Sequence, residues 1–147
     1  MHPTAKGIAA LVDYQFPGGT YTVAHWENFL LTACTGSVPL PNGRVHPVAL
    51  FHVPIIGAGT SIAEMFAVGY AESDFSIGIE SYDWELFKPM QEEESYAVQA
   101  RITVAERITQ DNGTFHDRIQ FRFDLSQADS KPVARATITW IYGRSAQ

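Results

Sequence analysis

Three segments in the second half of the chain alternate apolar and polar residues, which is the pattern of half-buried β-strands. They cover 96–105, 117–125 and 134–142. Turn-forming residues separate them at 110–113 and 126–132, so we predict an antiparallel meander. A fourth strand is predicted at about 76–87, before Lys88-Pro89, and a short strand near 8–14.

The first half of the chain has helical periodicity instead. Over 22–34 the apolar residues recur at helical spacing, and Thr22 is suited to the N-cap. This predicts a helix of about three turns. Its apolar positions are Val23, Trp26, Leu30, Ala33 and Cys34. The three tryptophans of the chain, Trp26, Trp84 and Trp140, are predicted to lie in the core.

Two further segments follow this helix. Residues 35–47 contain three prolines and two glycines, which predicts a surface loop. The segment from Ser61 to about Ala71 is apolar on almost every side and predicts a helix buried nearly all round. In a chain of this size, a sheet wrapped around that helix would bury it, which gives an α+β class. The sequence predicts one domain over residues 1–147.

Charge and cysteine content narrow the functional classes. The formal net charge is −6, without a Lys/Arg-rich stretch, so we expect no nucleic-acid partner. Cys34 is the only cysteine, which excludes an internal disulfide and fits a cytoplasmic protein. No signal peptide and no membrane span are expected, because no segment approaches 18 consecutive apolar residues. Motifs for phosphate loops, dinucleotides and serine-hydrolase elbows are missing from the sequence.

Glu64 is the single carboxylate in the stretch HVPIIGAGTSIAEMF, residues 52–66. Ser61-Ile-Ala-Glu64 matches a capping box, which alone would explain it. The alternative is a catalytic acid in an apolar cleft, where its pKa would be raised. Gly57 and Gly59 precede it and either allow a tight loop or let a thioester carbonyl approach free amides.

Two histidines lie close to these residues in sequence. His46 closes the loop and His52 precedes the glycines, so either could act as an acid–base group, or both could be structural. Two histidines six residues apart in irregular chain are weak support for a metal site, and we predict no metal.

The order of these segments resembles the MaoC-like hydratase/dehydratase branch of the hot-dog fold, in which an antiparallel sheet wraps a long central helix. The similar stretches are YTVAHWENFLLTACTG, PIIGAGTSIAEMFAVG, IESYDWELFKPMQEEESYAVQARITVAER and VARATITWIYGR. The motif of that branch is Asp-x-Asn-Pro-x-His after Thr-Gly. Here Thr35-Gly36 is followed by Ser37 at the aspartate position, and His46 matches only with a longer loop.

Hydroxyacyl-carrier-protein dehydratases offer a second comparison. They place a histidine ahead of Gly-x-x-x-x-Glu, and Gly59 and Glu64 have that spacing, with His52 before them. Both resemblances imply addition of water to 2-enoyl thioesters or its removal from 3-hydroxyacyl thioesters of CoA or acyl carrier protein.

The resemblances also imply a set of site residues. The catalytic candidates are His46, His52 and Glu64, the substrate-binding candidates are Ser37, Gly57 and Gly59, and no separate cofactor is required. They imply a homodimer as well. A hot-dog thioesterase and a non-catalytic subunit of a heteromeric dehydratase remain as alternatives.

Overall fold

A five-stranded antiparallel sheet forms the framework of the protein. The structure is a computed structural model and describes residues 2–145. The sheet order is β1-β3-β4-β5-β2. The strands are β1 (Gly19–Thr22), β2 (Ile77–Leu86), β3 (Ser95–Thr109), β4 (Phe115–Ser126) and β5 (Pro132–Gly143).

The predicted meander and the fourth strand are confirmed. β3 pairs with β4 and β4 with β5, both antiparallel, and β2 pairs with β5 at one edge of the sheet. Along β4 the side chains alternate between buried and half-buried, as the sequence pattern indicates. The fully buried aromatic rings of Phe121 and Phe123 lie on the inner face of β4.

The short strand expected near residues 8–14 is wrong. The chain forms helix α1 (Ala5–Ala9), capped by Thr4, whose hydroxyl accepts a hydrogen bond from the Gly7 amide. The first bridge to β3 comes later, between Gln15 and Arg101. Because a helical turn buries Ile8 completely, this segment needs no strand to protect its apolar side chain.

The helical segment on the sheet is two short helices rather than one long one. α3 (Val53–Gly57) and α4 (Ile62–Val68) are separated by four residues. Gly59 has a φ of 72°, in the left-handed region, and this turn ends α3. A Cβ on Gly57 would lie 2.6 Å from Cγ2 of Val98, so the glycine lets α3 approach β3 closely.

α4 begins at the Ser61 cap, as predicted, but it is not buried all round. Met65 is fully buried, whereas Ile62, Ala63 and Glu64 are exposed. The helix rests on the sheet by one side only, where the Tyr142 hydroxyl donates to the Met65 carbonyl at 2.7 Å. The prediction of burial on every side is therefore wrong, because the sheet covers one face of the segment.

α2 (His25–Cys34) is amphipathic in the opposite sense to the one predicted. Its buried side chains are polar, Asn28 and Thr32, while Trp26 and Leu30 are 66% and 53% exposed. The N-cap is Ala24 rather than Thr22. Of the tryptophans predicted to be core, only Trp140 is buried; Trp84 is partly exposed. Among the helices within residues 2–145, none has the length and apolar character that crossing a membrane requires.

Candidate functional site

Two histidines flank one short 3-10 helix, and α2 holds both of them. The 3-10 helix is Pro47–Phe51, with His46 as its N-cap and His52 as its C-cap. Neighbouring α2 residues make the contacts: Glu27 binds the His52 ring, and Asn28 binds the His46 backbone. We call these four residues the α2–histidine cluster.

The His52 imidazole is hydrogen-bonded to Glu27. Its Nε2 lies 3.0 Å from Oε1 of Glu27, and the side chains are 30% and 15% exposed. The Tyr21 hydroxyl, on β1, donates to the same carboxylate oxygen at 2.6 Å. Because Nε2 faces the carboxylate, Nδ1 of a neutral His52 is left as a hydrogen-bond acceptor. A partly exposed imidazole backed by a carboxylate is suited to general acid–base chemistry.

The surroundings shift two pKa values in this group. Burial alone would raise the pKa of Glu27, but hydrogen bonds from Tyr21 and His52 outweigh it and hold that pKa below its ordinary value. Burial, and then the hydrogen bond to Glu27, raises the pKa of Tyr21 to about 12. At neutral pH Glu27 is therefore a carboxylate, and the protonated Tyr21 hydroxyl donates a hydrogen bond to it.

His46 is held by its backbone and uses its ring to cap the 3-10 helix. Its backbone amide donates to Oδ1 of Asn28 at 2.9 Å. Its Nδ1 accepts a hydrogen bond from the Val48 amide at 3.0 Å. A ring that accepts at Nδ1 carries its proton on Nε2, so His46 presents an N–H donor while His52 presents an acceptor.

Aromatic side chains adjoin the His52 end of the 3-10 helix. Phe51 is 55% exposed and stacks on Tyr82 with a centroid separation of 5.3 Å and an interplanar angle of 4°. Trp84 meets Phe51 edge-on at 6.1 Å. Tyr82 and Trp84 belong to edge strand β2, so an apolar surface continues from the cluster to the open edge of the sheet.

Glu64 lies elsewhere, on the exposed part of α4. It lines a cleft of about 330 Å³ together with Tyr14, Phe16, Thr60 and others, and neither His46 nor His52 lines that cleft. Its backbone amide donates a hydrogen bond to Oγ of Ser61 at 3.1 Å, and this bond is one half of the predicted capping box. Within the described part of the chain, Glu64 has no hydrogen bond or ion pair with a histidine. Its catalytic role stays a prediction.

The substrate-binding candidates have local structural roles. Ser37 is exposed, and its amide donates to the Thr32 carbonyl at 3.3 Å, closing the end of α2. The amides of Ala58 and Gly59 donate to carbonyls of α3, so these two groups are already paired. Gly57 and Gly59 therefore serve the tight loop, and their contact with a substrate stays a prediction.

Sequence reasoning missed Glu27, Asn28 and Tyr21. The signal was present as two adjacent polar residues, Glu27-Asn28, inside an apolar helical stretch. Periodicity alone does not show which side of a helix is buried, and the partners of these residues are distant in sequence. Among residues 2–145, no three His, Cys, Asp or Glu side chains gather in a way that could hold a metal ion.

Comparison with known proteins gives matches in structure only. No protein-family model and no curated protein matches the chain. The ChsH1-ChsH2 complex from Mycobacterium tuberculosis matches with a TM-score of 0.70 and 10% identity over 97% of this chain and 90% of that chain. The HadBC (3R-hydroxyacyl-ACP dehydratase) complex from the same organism matches with a TM-score of 0.65 and 11% identity over 89% and 96%.

Two other kinds of protein share this architecture. A MaoC-like dehydratase from Phytophthora capsici has a TM-score of 0.64 and 10% identity over 98% of this chain and 54% of that chain. A 1,4-dihydroxy-2-naphthoyl-CoA thioesterase from Synechocystis also matches, with a TM-score of 0.52 and 15% identity over 90% of this chain and 84% of that chain. The chain therefore has the α+β hot-dog fold, and its predicted resemblance to MaoC-like and hydroxyacyl-ACP dehydratases is confirmed at the level of the fold.

Proposed function

We propose that this protein is a hydratase/dehydratase acting on a 2-enoyl or 3-hydroxyacyl thioester of CoA or acyl carrier protein. The observation that carries the proposal is the 3.0 Å hydrogen bond between His52 and Glu27, which joins a partly exposed imidazole to a more buried carboxylate. The hot-dog dehydratases of similar structure support the same class of reaction.

In the direction of dehydration, Nδ1 of His52 takes a proton from C2 of the 3-hydroxyacyl thioester. The C2–H electron pair becomes the C2–C3 double bond, and the C3–O bond breaks. The protonated His52 gives the same proton to the leaving hydroxyl, which departs as water. Glu27 stabilises the imidazolium that exists between the two transfers, because its carboxylate remains ionised. Hydration is the reverse sequence.

His46 supplies binding rather than proton transfer in this proposal. Its Nδ1 is taken by the Val48 amide, so its Nε2–H is the group available to a substrate oxygen. A hydrogen bond that is made equally in the ground state and the transition state lowers KM and leaves kcat unchanged. Alanine at position 46 should therefore raise KM, whereas alanine at position 52 should lower kcat.

The expected partner is a second copy of the chain. β2 lies at the sheet edge with an unpaired row of backbone groups, and Ile79, Trp84 and Leu86 on it are exposed. A ten-residue edge strand with exposed large apolar side chains offers a template for pairing with another chain. We expect light scattering to give about twice 16.3 kDa, and a monomer at micromolar concentration would contradict the dimer.

A second candidate is a non-catalytic subunit of a heteromeric dehydratase. Ser37 stands at the position where the resemblance puts an aspartate, and it lies exposed at the end of α2. The HadBC and ChsH1-ChsH2 structures are complexes of two different chains. This candidate predicts no turnover by the purified chain alone.

The experiment that tests the proposal uses crotonyl and 3-hydroxybutyryl thioesters of both CoA and acyl carrier protein. Enoyl absorbance reports hydration and dehydration, and free thiol reports thioester cleavage. Wild-type protein should interconvert the two acyl groups without releasing thiol. Thiol release would favour a thioesterase, and no reaction with any of the four substrates would favour the non-catalytic subunit.

Matched glutamine variants then show which of two carboxylates, Glu27 or Glu64, acts in catalysis. Glu27→Gln and Glu64→Gln both keep the size of the side chain and remove the charge. We expect Glu27→Gln to lower kcat by about 100-fold and Glu64→Gln to leave it nearly unchanged. The reverse result would return the catalytic role to Glu64.

A further inference from the structure

Asn28 is the most buried polar side chain of α2 that makes hydrogen bonds, and it makes three. It is 3% exposed. Its Oδ1 accepts from the His46 amide at 2.9 Å, and its Nδ2 donates to the Arg44 carbonyl at 3.0 Å and to Oε1 of Glu92 at 2.6 Å. One amide group therefore joins α2 to the chain before the 3-10 helix and to the turn before β3.

The contacts on Asn28 fix the position of His46. The stretch 44–46 has little regular structure of its own, and it is also joined to the turn before β3 by the Val45 amide, which donates to the Met90 carbonyl at 2.8 Å. Asn28 binds this stretch at two points, one on each side of Val45. The His46 backbone is thereby set in the extended conformation from which its ring caps the 3-10 helix.

We propose that Asn28 is a positioning residue that keeps the His46 ring in one place and in one tautomer, with its proton on Nε2 and directed to the substrate. This inference rests on the proposed function for the role of His46, but the contacts themselves do not depend on it. The Asn28 side chain makes three hydrogen bonds to protein groups. An apolar substitution therefore leaves the His46 amide and the Arg44 carbonyl without this partner.

Thr32 provides a matched control on the same helix. It is 1% exposed, one turn beyond Asn28, and its hydroxyl has no hydrogen-bond partner among the described residues. Thr32→Val keeps the shape and removes only the unpaired hydroxyl. A general perturbation of the buried face of α2 would affect both positions, whereas loss of positioning affects position 28 alone.

The test measures kcat, KM and thermal unfolding for Asn28→Ala and Thr32→Val, with crotonyl-CoA as substrate. A misplaced binding group should raise KM by about 10-fold and change kcat by less than about 3-fold, as in His46→Ala. Thr32→Val should keep both constants. An unchanged KM in a folded Asn28→Ala protein would overturn the inference.

If Asn28→Ala does not fold, a swapped pair, in which positions 28 and 92 exchange amide and carboxylate, tests the inference instead. In the double variant Asn28→Asp/Glu92→Gln, the carboxylate still accepts from the His46 amide and from the new amide at position 92, whereas the bond to the Arg44 carbonyl is lost, so this variant tests the contact with His46. Its KM should return to within about 3-fold of the wild-type value. A KM that remains as high as that of His46→Ala would contradict positioning by the hydrogen bond from the His46 amide.

Imidazole nitrogen-15 NMR separates this inference from the proposed function. Wild-type His46 should show a pyrrole-type Nε2 and a pyridine-type Nδ1, and the swapped pair should keep these signals while Asn28→Ala gives averaged ones. If the wild type turns over no thioester, the proposed function fails and these signals still decide the role of Asn28. Identical His46 signals in wild type and Asn28→Ala would reject it.

Discussion

The β3–β5 meander and helix α2 obey opposite rules of burial. In the meander, apolar side chains such as Phe121 and Ile138 are buried, and most polar side chains are partly exposed, with Asp117 and Thr139 as buried exceptions. In α2, Asn28 and Thr32 are buried, and the apolar side chains of Trp26 and Leu30 face outward.

The difference follows from what each surface contacts. The inner face of the sheet packs against apolar groups, including the Phe16 and Trp140 rings around Phe121. The inner side of α2 faces backbone amides, carbonyls and the Glu92 carboxylate, which pair with Asn28. Asn28 is tolerated in its buried position because its hydrogen bonds are made, and it lies where His46 is held.

The largest expected loss of stability comes from truncating a core side chain of the β3–β5 meander. Phe121→Ala should lower the free energy of unfolding by about 3–5 kcal/mol, because it removes a fully buried ring and leaves a cavity against Phe16 and Trp140. Urea unfolding measures this loss. A change of less than about 1 kcal/mol would mean that the meander is not the main source of stability.

A smaller loss of stability is expected when the Tyr21 hydroxyl, which binds Glu27, is removed. Tyr21→Phe removes the 2.6 Å hydrogen bond to Glu27 and should lower the unfolding free energy by about 1.5 kcal/mol, as expected for a bond to a charged group. Tyr14→Phe is the control, since that ring is 43% exposed. Equal effects of the two substitutions would show that the Tyr21 bond adds nothing.

Lowering the pH should reduce the contribution of Glu27 to the free energy of unfolding. The pKa of Glu27 is lowered by folding, so its contribution to stability is present above the unfolded pKa and is lost as the pH falls through the lower, folded pKa. Between about pH 5 and pH 3, wild type should therefore lose more stability than Glu27→Gln. Parallel curves from urea unfolding across this range would show that the Glu27 carboxylate does not contribute to stability.

The smallest effect is expected on the outer side of α2. Leu30→Ser changes a side chain that is 53% exposed and should alter the unfolding free energy of the isolated chain by no more than about 0.5 kcal/mol. Ala136→Ser, at a fully buried position of β5, serves as the contrasting variant and should cost more. A large loss in Leu30→Ser would show that another chain covers this face, and light scattering would then detect a shift in assembly.

The strands could be predicted because alternation reports burial directly. The predicted ranges 117–125 and 134–142 lie within β4 and β5, which extend one to two residues further at each end. The pairing of neighbours also followed from turn chemistry. What remained hidden was helix α3, because the sequence pattern indicated only a tight loop at the glycines before Ser61, and the close approach of Gly57 to Val98 depends on packing.

The site could be predicted only in part. His46 and His52 were identified by their place beside the loop and the glycines, and the structure puts them at the two ends of one helix. Glu27 and Asn28 were not identified, because apolar periodicity suggested the wrong buried side for α2. Their partners, His52 and Glu92, are 25 and 64 residues away, and such contacts become visible only in the folded chain.

The central claim is that Glu27 acts through His52, and a double-mutant cycle on kcat tests it most directly. The four proteins are wild type, Glu27→Gln, His52→Ala and the double variant, assayed for crotonyl thioester hydration. If the two residues work as one unit, the double variant should be no slower than His52→Ala alone, because Glu27 has nothing left to stabilise. Losses that multiply in the double variant would contradict the account and show that the two residues act independently.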